Sequence, residues 1–558
     1  MKMKGARIVV ESLLKENVDT IFAYIGGQII TVFDELYHYR DRINIIQPRH
    51  EQGGTHAADG YARSTGKPGV VIVTSGPGAT NTVTGIATAY MDSIPLIIIT
   101  GQVPTHFIGT DAFQEADITG ITMPITKANF LVKDVDDLAM TIKRAFYVAC
   151  TGRPGPVLID IPSDVQKKEA EFHYPETITL KSYHPVEHGH PRQIKAALEL
   201  LKTSEKPLML VGGGVIFSDA TDLVNQFIDT FRIPVVTTLM GHGLNPKNED
   251  LYIGTIGMHG TLYGNHALQN ADLIFALGTR FSDRIMGEAK TFAPKARIIH
   301  VDVDPAEIGK NKDIRVPIVG TVRSVIGQFL KQGATERRHE GWIKELKEFK
   351  KKHPLTYGKT GGLKPQHLIQ LANRHFPEDT IVASDVGQNQ MWVSQYYRFR
   401  QPRCYLSSGG LGTMGFALPA AIGAKLGNPK RPVLMVAGDG GFQMNIQELA
   451  TIKRYDLAVK MLVLDNSCLG MVRQWQELLF EKRYSQTTLA DNPDFAEIVR
   501  AYGIHAITID KPEQAEKAIK ELVKAKGPML VYARIDPCEN VLPMVPAGQS
   551  LNNVLTKI

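Results

Sequence analysis

Along the chain, short apolar runs rich in Val and Ile alternate with longer stretches whose apolar positions recur every three or four residues. The first pattern predicts buried strands and the second amphipathic helices, and their alternation predicts parallel α/β domains. In the first third the expected strands are "TIFAYI", "INIIQP", "GVVIVTSG", "PLIIITG" and "PVLIDIP". A second set follows at "PLMLVGGG", "PVVTTLMG", "ADLIFALGTRF" and "ARIIHVDVDP", and a third at "TIVASDVGQ", "PVLMVAGDGG", "VKMLVLDNS" and "PMLVYARID". Between them, residues 167–195 are polar and rich in His and Pro, which predicts a solvated linker. The charged stretch "TERRHEGWIKELKEFKKKHP" predicts a helical connector on the surface. Three parallel-sheet α/β units of comparable size are expected, with no short-period repeat.

Other features narrow the class. A chain of 558 residues exceeds one core. Its apolar share of 43% and charged share of 22% are those of a globular protein. A net charge of +6, with no basic stripe interleaved with aromatics, points away from nucleic acid. The N-terminal "MKMKGARIVVESLLKENVD" is interrupted by Glu11 and Lys15 and predicts an amphipathic helix, not a secretory signal. No apolar run reaches membrane-span length. Cys150, Cys404, Cys468 and Cys538 are scattered without a CxxC pair, which fits reduced thiols in a cytoplasmic protein.

The candidate chemistry centres on "MVAGDGGFQMN". A helix is expected from about Asn445, with Glu448 at capping-box spacing, so Asp439 and Asn466 leave the ends of two neighbouring strands. An Asp oxygen, an Asn amide oxygen and the Cys468 carbonyl suit Mg²⁺. Gly440 and Gly441 let backbone N–H groups approach a diphosphate at a helix N-terminus. GDG followed, 24 residues later, by Asp465-Asn466 resembles the thiamine diphosphate motif. "GLGTMG", Gly410 to Gly415, matches a dinucleotide fingerprint but lacks a clear strand directly before it. It is read instead as the loop that places Met414 between the rings of thiamine diphosphate. That cofactor needs a carboxylate on its aminopyrimidine nitrogen, and Glu51, between a strand and a small-residue helix, is the candidate.

The segments "RHEQGGTHAADGYAR", "TSGPGATNTVTGIATAYMDSIPLIIITGQVP", "GTDAFQEADI", "TGRPGPVLIDIP", "MGFALPAAIGAK", "LGMVRQWQELL" and "ENVLPMVPAGQSLN" resemble the large catalytic subunit of the acetohydroxyacid synthase (acetolactate synthase) family, nearly end to end. The resemblance implies a pyrimidine-binding domain at 1–166, a central Rossmann-like FAD-binding domain at 190–335, a diphosphate-binding domain at 364–540 and a tail at 541–558. It implies thiamine diphosphate, Mg²⁺ and FAD, and active sites shared between two chains of a homodimer or a dimer of dimers, with a small regulatory subunit as a further partner. The implied reaction decarboxylates pyruvate and joins the remainder to pyruvate or 2-oxobutanoate, giving 2-acetolactate or 2-aceto-2-hydroxybutanoate on the route to valine, leucine and isoleucine.

Carried over residue by residue, the resemblance places Phe113 and Gln114 over the reacting carbon, Arg284 on the second substrate's carboxylate, and Trp475 against the extra methyl group of 2-oxobutanoate. Gly387, Gln388, Asn389, Gly412, Gly438, Leu469, Gly470 and Met471 join Asp439, Gly440, Gly441 and Asn466 around the diphosphate. For the flavin it offers Arg153, Gly212, Gly213, Gly214, Met258, His259, Gly260, Gly278, Thr279, Arg280, Asp283, Asp302, Val303, Asp304, Ile308, Gly320 and Thr321. Six positions depart from the family pattern. Asn389 stands for His, Gly441 for Ser, Asp465 for Asn, Ser163 for Lys, and Ser282 and Thr321 for Asp. Alternatives are a flavin-independent catabolic acetolactate synthase, glyoxylate carboligase (which lacks an acid at Glu51), pyruvate oxidase, and a non-catalytic homologue.

Overall fold

The computed structural model describes residues 2–333, 339–358 and 360–557. It contains three parallel sheets of six strands each. The first runs Asn44–Ile46, Thr20–Tyr24, Gly69–Val73, Leu96–Gln102, Val157–Pro162, Ala128–Leu131. The third runs Tyr405–Leu406, Ile381–Ser384, Val433–Gly438, Val459–Asp465, Met529–Arg534, His505–Ile509. Numbered by position in their own domains, both have the order 2-1-3-4-6-5. The middle sheet runs Tyr252–Thr255, Val235–Thr237, Pro207–Val211, Leu273–Leu277, Arg297–Asp302, Val316–Val319. Its order, 3-2-1-4-5-6, is that of dinucleotide-binding sheets, which hold their ligand where the order reverses.

Central strands such as Val459–Asp465 are buried throughout because helices cover both faces, hence their unbroken apolar runs. Five strands absent from the sequence reading, Ala128–Leu131, Tyr252–Thr255, Val316–Val319, Tyr405–Leu406 and His505–Ile509, all lie at sheet edges.

Three expectations about the connecting segments change. The N-terminal helix forms at Gly5–Lys15, but Lys2–Lys4 before it pairs antiparallel with Glu169–Glu171, so the expected linker begins as a strand. Further along that linker, the Glu187 carbonyl accepts from Thr321 N at 2.9 Å, tying it to the middle domain. In the expected surface connector, residues 335–338 lie outside the described residues. The rest forms the helix Glu340–Lys352, which buries Trp342, Ile343 and Leu346; Trp342 Nε1 donates to the Pro207 carbonyl at 3.1 Å. That helix is amphipathic, and its apolar stripe completes the middle core. The C-terminal segment also folds back there, with Val545 N donating to the Met258 carbonyl at 2.7 Å and Leu551 buried.

The first and third domains meet through the helices Glu51–Thr65 and Ala417–Gly427. A Cβ at Gly60 would run into the Ala420 carbonyl, and one at Gly423 into the Ala57 carbonyl, so glycine sets the close approach. Buried Arg63 pairs with Asp59 and Asp92 and donates to the Ser407 carbonyl at 2.9 Å, locking the same junction. Among the described residues no helix is long and apolar enough to cross a membrane.

Candidate active site and cofactor cavity

Asp439 follows the central strand Val433–Gly438 and opens the helix Asp439–Met444, earlier than the start near Asn445 expected from the sequence. It is 1% exposed, and Asn492 Nδ2 donates to its Oδ2 at 2.8 Å. From the neighbouring strand end, Asn466 Nδ2 donates to Gln388 Oε1 at 3.0 Å. That bond turns the amide oxygen toward Asp439 Oδ1 at 3.3 Å and the Cys468 carbonyl at 2.8 Å. Three oxygens facing one another without a proton repel. Either a small hard cation sits among them or the amide turns over and donates to both, so the donor set fits Mg²⁺. Burial, and next the charge of Asp465, hold Asp439 above the ordinary carboxylate range, and a divalent cation reverses both effects. Asp465 accepts from Ser467 N at 2.7 Å and from the Tyr532 hydroxyl.

The expected capping box at Asn445 and Glu448 is not formed. The helix starts at Asp439, and Asn445 breaks it, donating instead to the Gly415 carbonyl at 2.7 Å. The buried Glu448 carboxylate reaches into the first domain, where Arg49 N (3.0 Å) and His50 N (3.1 Å) donate to it, while Thr451 Oγ1 donates from its own helix at 2.6 Å. Glu448 therefore clamps the turn from which Glu51 starts its helix. Glu448→Gln sets an amide N–H₂ among those donors. It is expected to cost about 1–3 kcal/mol and to lower kcat while leaving thiamine diphosphate affinity unchanged. Thermal unfolding and kinetics check this, and a wild-type Tm and kcat together would remove the clamp from the account.

Asp385, which the sequence reading passed over, fixes the Met414 loop. Its carboxylate accepts from Gly415 N at 3.0 Å, Ala417 N at 2.9 Å and Val386 N at 2.9 Å, and burial pushes it up to about 6. A Cβ at Gly441 would collide with the same carboxylate, so glycine suits this position where the family pattern has Ser. Asp385 is one more acid at a strand end before a glycine turn, a signal that was available in "ASDVGQ". Met414 reaches over the metal turn, its methyl 3.3 Å from where a Gly440 Cβ would lie. Gly387, at φ 132°, caps the helix Gln388–Tyr396 beside this turn. Asn389 does not offer a free donor: its Nδ2 bonds the Asp385 carbonyl at 2.8 Å. Gln388 braces Asn466 and bonds Gln474 at 2.9 Å. Leu469 N is tied to the Thr487 carbonyl at 2.8 Å, and a Cβ at Gly470 would meet Gln388.

A cavity of about 1010 Å³ joins this region to the middle sheet. Gly387, Gly412, Met414, Met471 and Trp475 line one end. Arg153, Gly212, Gly213, Gly214, Met258, His259, Gly278, Thr279, Arg280, Asp283, Arg284, Asp302, Val303 and Thr321 line the other, at the point where the strand order reverses. Arg284 and Trp475 meet across the domain boundary, with the guanidinium 6.0 Å from the indole centroid. Arg284 Nη1 also donates to Met258 Sδ at 3.3 Å.

The flavin candidates divide by what they touch. Gly212, Gly214 and Gly278 pack backbone to backbone, with Gly212 N donating to the Leu277 carbonyl at 2.9 Å and Gly214 N to the Gly278 carbonyl at 3.1 Å. Their glycines serve this turn-on-turn contact as much as any ligand. Arg153 is held by Asp304 at 3.2 Å and Glu307 at 2.7 Å. Asp304 thus acts through Arg153, and Asp304, Gly260, Ile308 and Gly320 are not on the cavity wall. Arg280 donates to the Met91 carbonyl at 2.6 Å, and burial pushes Asp302 up to about 6. Four buried atoms on wall residues have no partner, Asp92 Oδ1, Thr255 Oγ1, His259 Nδ1 and Thr279 Oγ1. Burial, with Arg284 beyond it, pushes His259 down to about 4, leaving a neutral ring. Partnerless polar atoms on a cavity of this size at a topological switch point fit a dinucleotide. The sequence reading missed Ser93 and Met240 on this wall.

Glu51, Phe113 and Gln114 form a separate group in the first domain. Asn81 Nδ2 donates to Glu51 Oε2 at 3.0 Å, and Gln114, at φ 62°, packs on Gly76. Phe113 is 85% exposed, and none of the three lines the large cavity.

Three family models match this chain. "Thiamine pyrophosphate enzyme, N-terminal TPP binding domain" covers residues 3–121, the central domain of the same enzymes 194–329, and their C-terminal TPP binding domain 385–533. The chain is a member of the thiamine pyrophosphate enzymes. It is 46% identical over 568 residues to the probable acetolactate synthase large subunit of Methanocaldococcus jannaschii, covering 100% of this chain and 96% of that protein. It is 44% identical over 563 residues to the acetolactate synthase large subunit of Haemophilus influenzae (99% and 98% covered), and 46% over 565 residues to that of Corynebacterium glutamicum (99% and 90%). Within the class, the chain belongs to the acetolactate synthase large-subunit family, thiamine diphosphate-dependent enzymes of acetolactate synthesis.

Proposed function

We propose that the chain decarboxylates pyruvate and joins the two-carbon remainder to a second 2-oxo acid, in two composite active sites of a homodimer. The observation that carries this reading is the convergence of Asp439, Asn466 and the Cys468 carbonyl beneath Met414, which itself lines one end of the cavity that also holds Arg284 and Trp475. Thiamine diphosphate, when bound, supplies the carbon nucleophile that accepts the pyruvate carbonyl and stabilises the charge left by CO₂ loss. Asp439, Asn466 and the Cys468 carbonyl would hold Mg²⁺, and the N–H groups of Gly440 and Gly441 would hold the cofactor's diphosphate. Met414 would wedge between its rings. Glu51 holds the proton at the aminopyrimidine nitrogen.

The composite site is supported by the position of Glu51, which lies outside its own chain's cavity. Exposed apolar side chains also flank Met414, with Leu411 and Val472 on the same wall and Met444 against Gly415, and Phe113 is exposed beside Gln114. A second copy would cover both. Arg284 takes the carboxylate of the second substrate through its fork, and the Trp475 ring packs on that substrate's alkyl end. FAD occupies the middle-domain end of the cavity, and a small regulatory subunit is a further partner, in line with relatives named as large subunits.

The test is acetolactate formation from pyruvate by the purified protein with Mg²⁺ and thiamine diphosphate, with and without FAD. FAD-dependent product supports the biosynthetic reading. Product without any bound flavin supports the catabolic type, and none at all rejects the assignment. Trp475→Leu is expected to lower the preference for 2-oxobutanoate over pyruvate by about 10-fold or more, the scale of one methylene contact. Product ratios in direct competition check this, and an unchanged ratio would remove Trp475 from the specificity assignment.

A further inference from the structure

A second cavity, of about 300 Å³, lies where the middle and third domains meet and shares Thr255 and Ser394 with the wall of the large one. Three cations and one acid line it, and since Arg400 pairs with Glu249, Lys350 and Arg398 are left. Arg398 lies over the Tyr252 ring at 3.7 Å and donates Nη1 to the Phe399 carbonyl at 2.8 Å, while its Nη2 is buried without a partner. Lys350 Nζ donates to the Tyr252 carbonyl at 3.1 Å and stands 5.1 Å from the Tyr263 ring. Neither cation is within ion-pair distance of a carboxylate among the described residues. The acids nearby are already taken: Glu249 by Arg400, and Asp250 by Lys347 at 2.6 Å. Two more buried atoms on residues of this wall are partnerless, Thr255 Oγ1 and Gln395 Oε1.

Two like charges enclosed without a counter-charge are costly, and burial holds both Lys350 and Arg398 below their ordinary ranges. Aromatic faces offset part of that cost, but they leave the Arg398 Nη2 hydrogens, two further lysine hydrogens, a hydroxyl and an amide oxygen to be matched. An ordinary structural stack would not gather unmatched donors and an acceptor around one void. A phosphate-sized anion matches the set. Its oxygens take the guanidinium fork and the ammonium, and a hydroxyl on the anion donates to Gln395 Oε1. We propose that this cavity binds a tetrahedral oxyanion bearing one hydroxyl, either free hydrogen phosphate or a small phosphomonoester whose alcohol hydroxyl takes that place. Through Thr255 and Ser394 the ligand abuts the wall of the cofactor cavity.

The experiment is calorimetric titration of the protein saturated with thiamine diphosphate, Mg²⁺ and FAD, so that the other anion sites are filled, at constant ionic strength. The probes are inorganic phosphate, sulfate and glycerol 3-phosphate. Saturable phosphate binding is expected, with sulfate weaker because it lacks the proton at neutral pH. Glycerol 3-phosphate binding more tightly than phosphate assigns a monoester; weaker binding assigns the free ion. Lys350→Gln and Arg398→Lys are each expected to weaken binding about tenfold or more, with thiamine diphosphate affinity unchanged. If Arg398→Lys fails to fold, Lys350→Gln decides alone. No saturable heat from any probe, sulfate binding as well as phosphate, or wild-type affinity in the folded variants would overturn the proposal.

Discussion

Glu51→Gln is expected to lower kcat by about 10²–10⁴-fold, the range of a positioned general acid-base group, while thiamine diphosphate binding stays measurable. The substitution conserves shape, and Gln can still accept the hydrogen bond that Asn81 Nδ2 gives at 3.0 Å, so the turn held by Glu448 should not move. What is lost is the group that exchanges a proton with the aminopyrimidine nitrogen. Steady-state kinetics beside a binding titration separate the two effects. Near-wild-type turnover would refute the assigned role. Lost turnover together with lost binding would mean that Glu51 holds the cofactor more than it activates it.

Asp439→Asn is expected to raise the thiamine diphosphate Kd in the presence of Mg²⁺ by at least about 100-fold, more than the loss of an outer-shell metal partner costs. Without cofactor the same change should not destabilise the protein. The buried carboxylate there feels the Asp465 charge, so removing its own charge relieves that repulsion while a side-chain oxygen remains for Asn492. The Tm of the apoprotein is therefore expected to be no lower than that of the wild type, whereas the rise in Tm on adding cofactor and metal should disappear. A variant that retains that rise would show that the metal is held elsewhere.

Much of the architecture was legible in the sequence because central strands covered on both faces must be apolar throughout. Edge strands escape that rule. Residues of Ala128–Leu131 are all half-buried, Tyr405–Leu406 has only two residues, and His505–Ile509 mixes exposed with buried positions. The turn at Asp439 stood out for a local reason, since glycines flank one acid at a strand end. Glu448 was not, because its partners lie 399 and 398 residues away and its spacing from Asn445 mimics a local cap. The polar linker misled in the same way. Its composition is that of solvated chain, yet Pro185, Val186 and Glu187 form part of the cofactor cavity wall, where polar backbone is useful. Arg284 and Trp475 came from the family resemblance, as nothing in either local sequence announces the other.

The shared strand order of the first and third sheets extends to the helices that join them. Glu51–Thr65 and Ala417–Gly427 each follow the second strand of their domain, and at their crossing the roles are exchanged, Gly60 against Ala420 and Gly423 against Ala57. Such reciprocity is what a local two-fold relation between two units of like topology produces within a single polypeptide. The two units carry different groups at equivalent positions. After the second strand, one has the carboxylate of Glu51 and the other the glycine loop with Met414. After the third, one has the turn at Gly76 and the other the turn at Asp439. A symmetric frame thus presents an unsymmetric set of side chains.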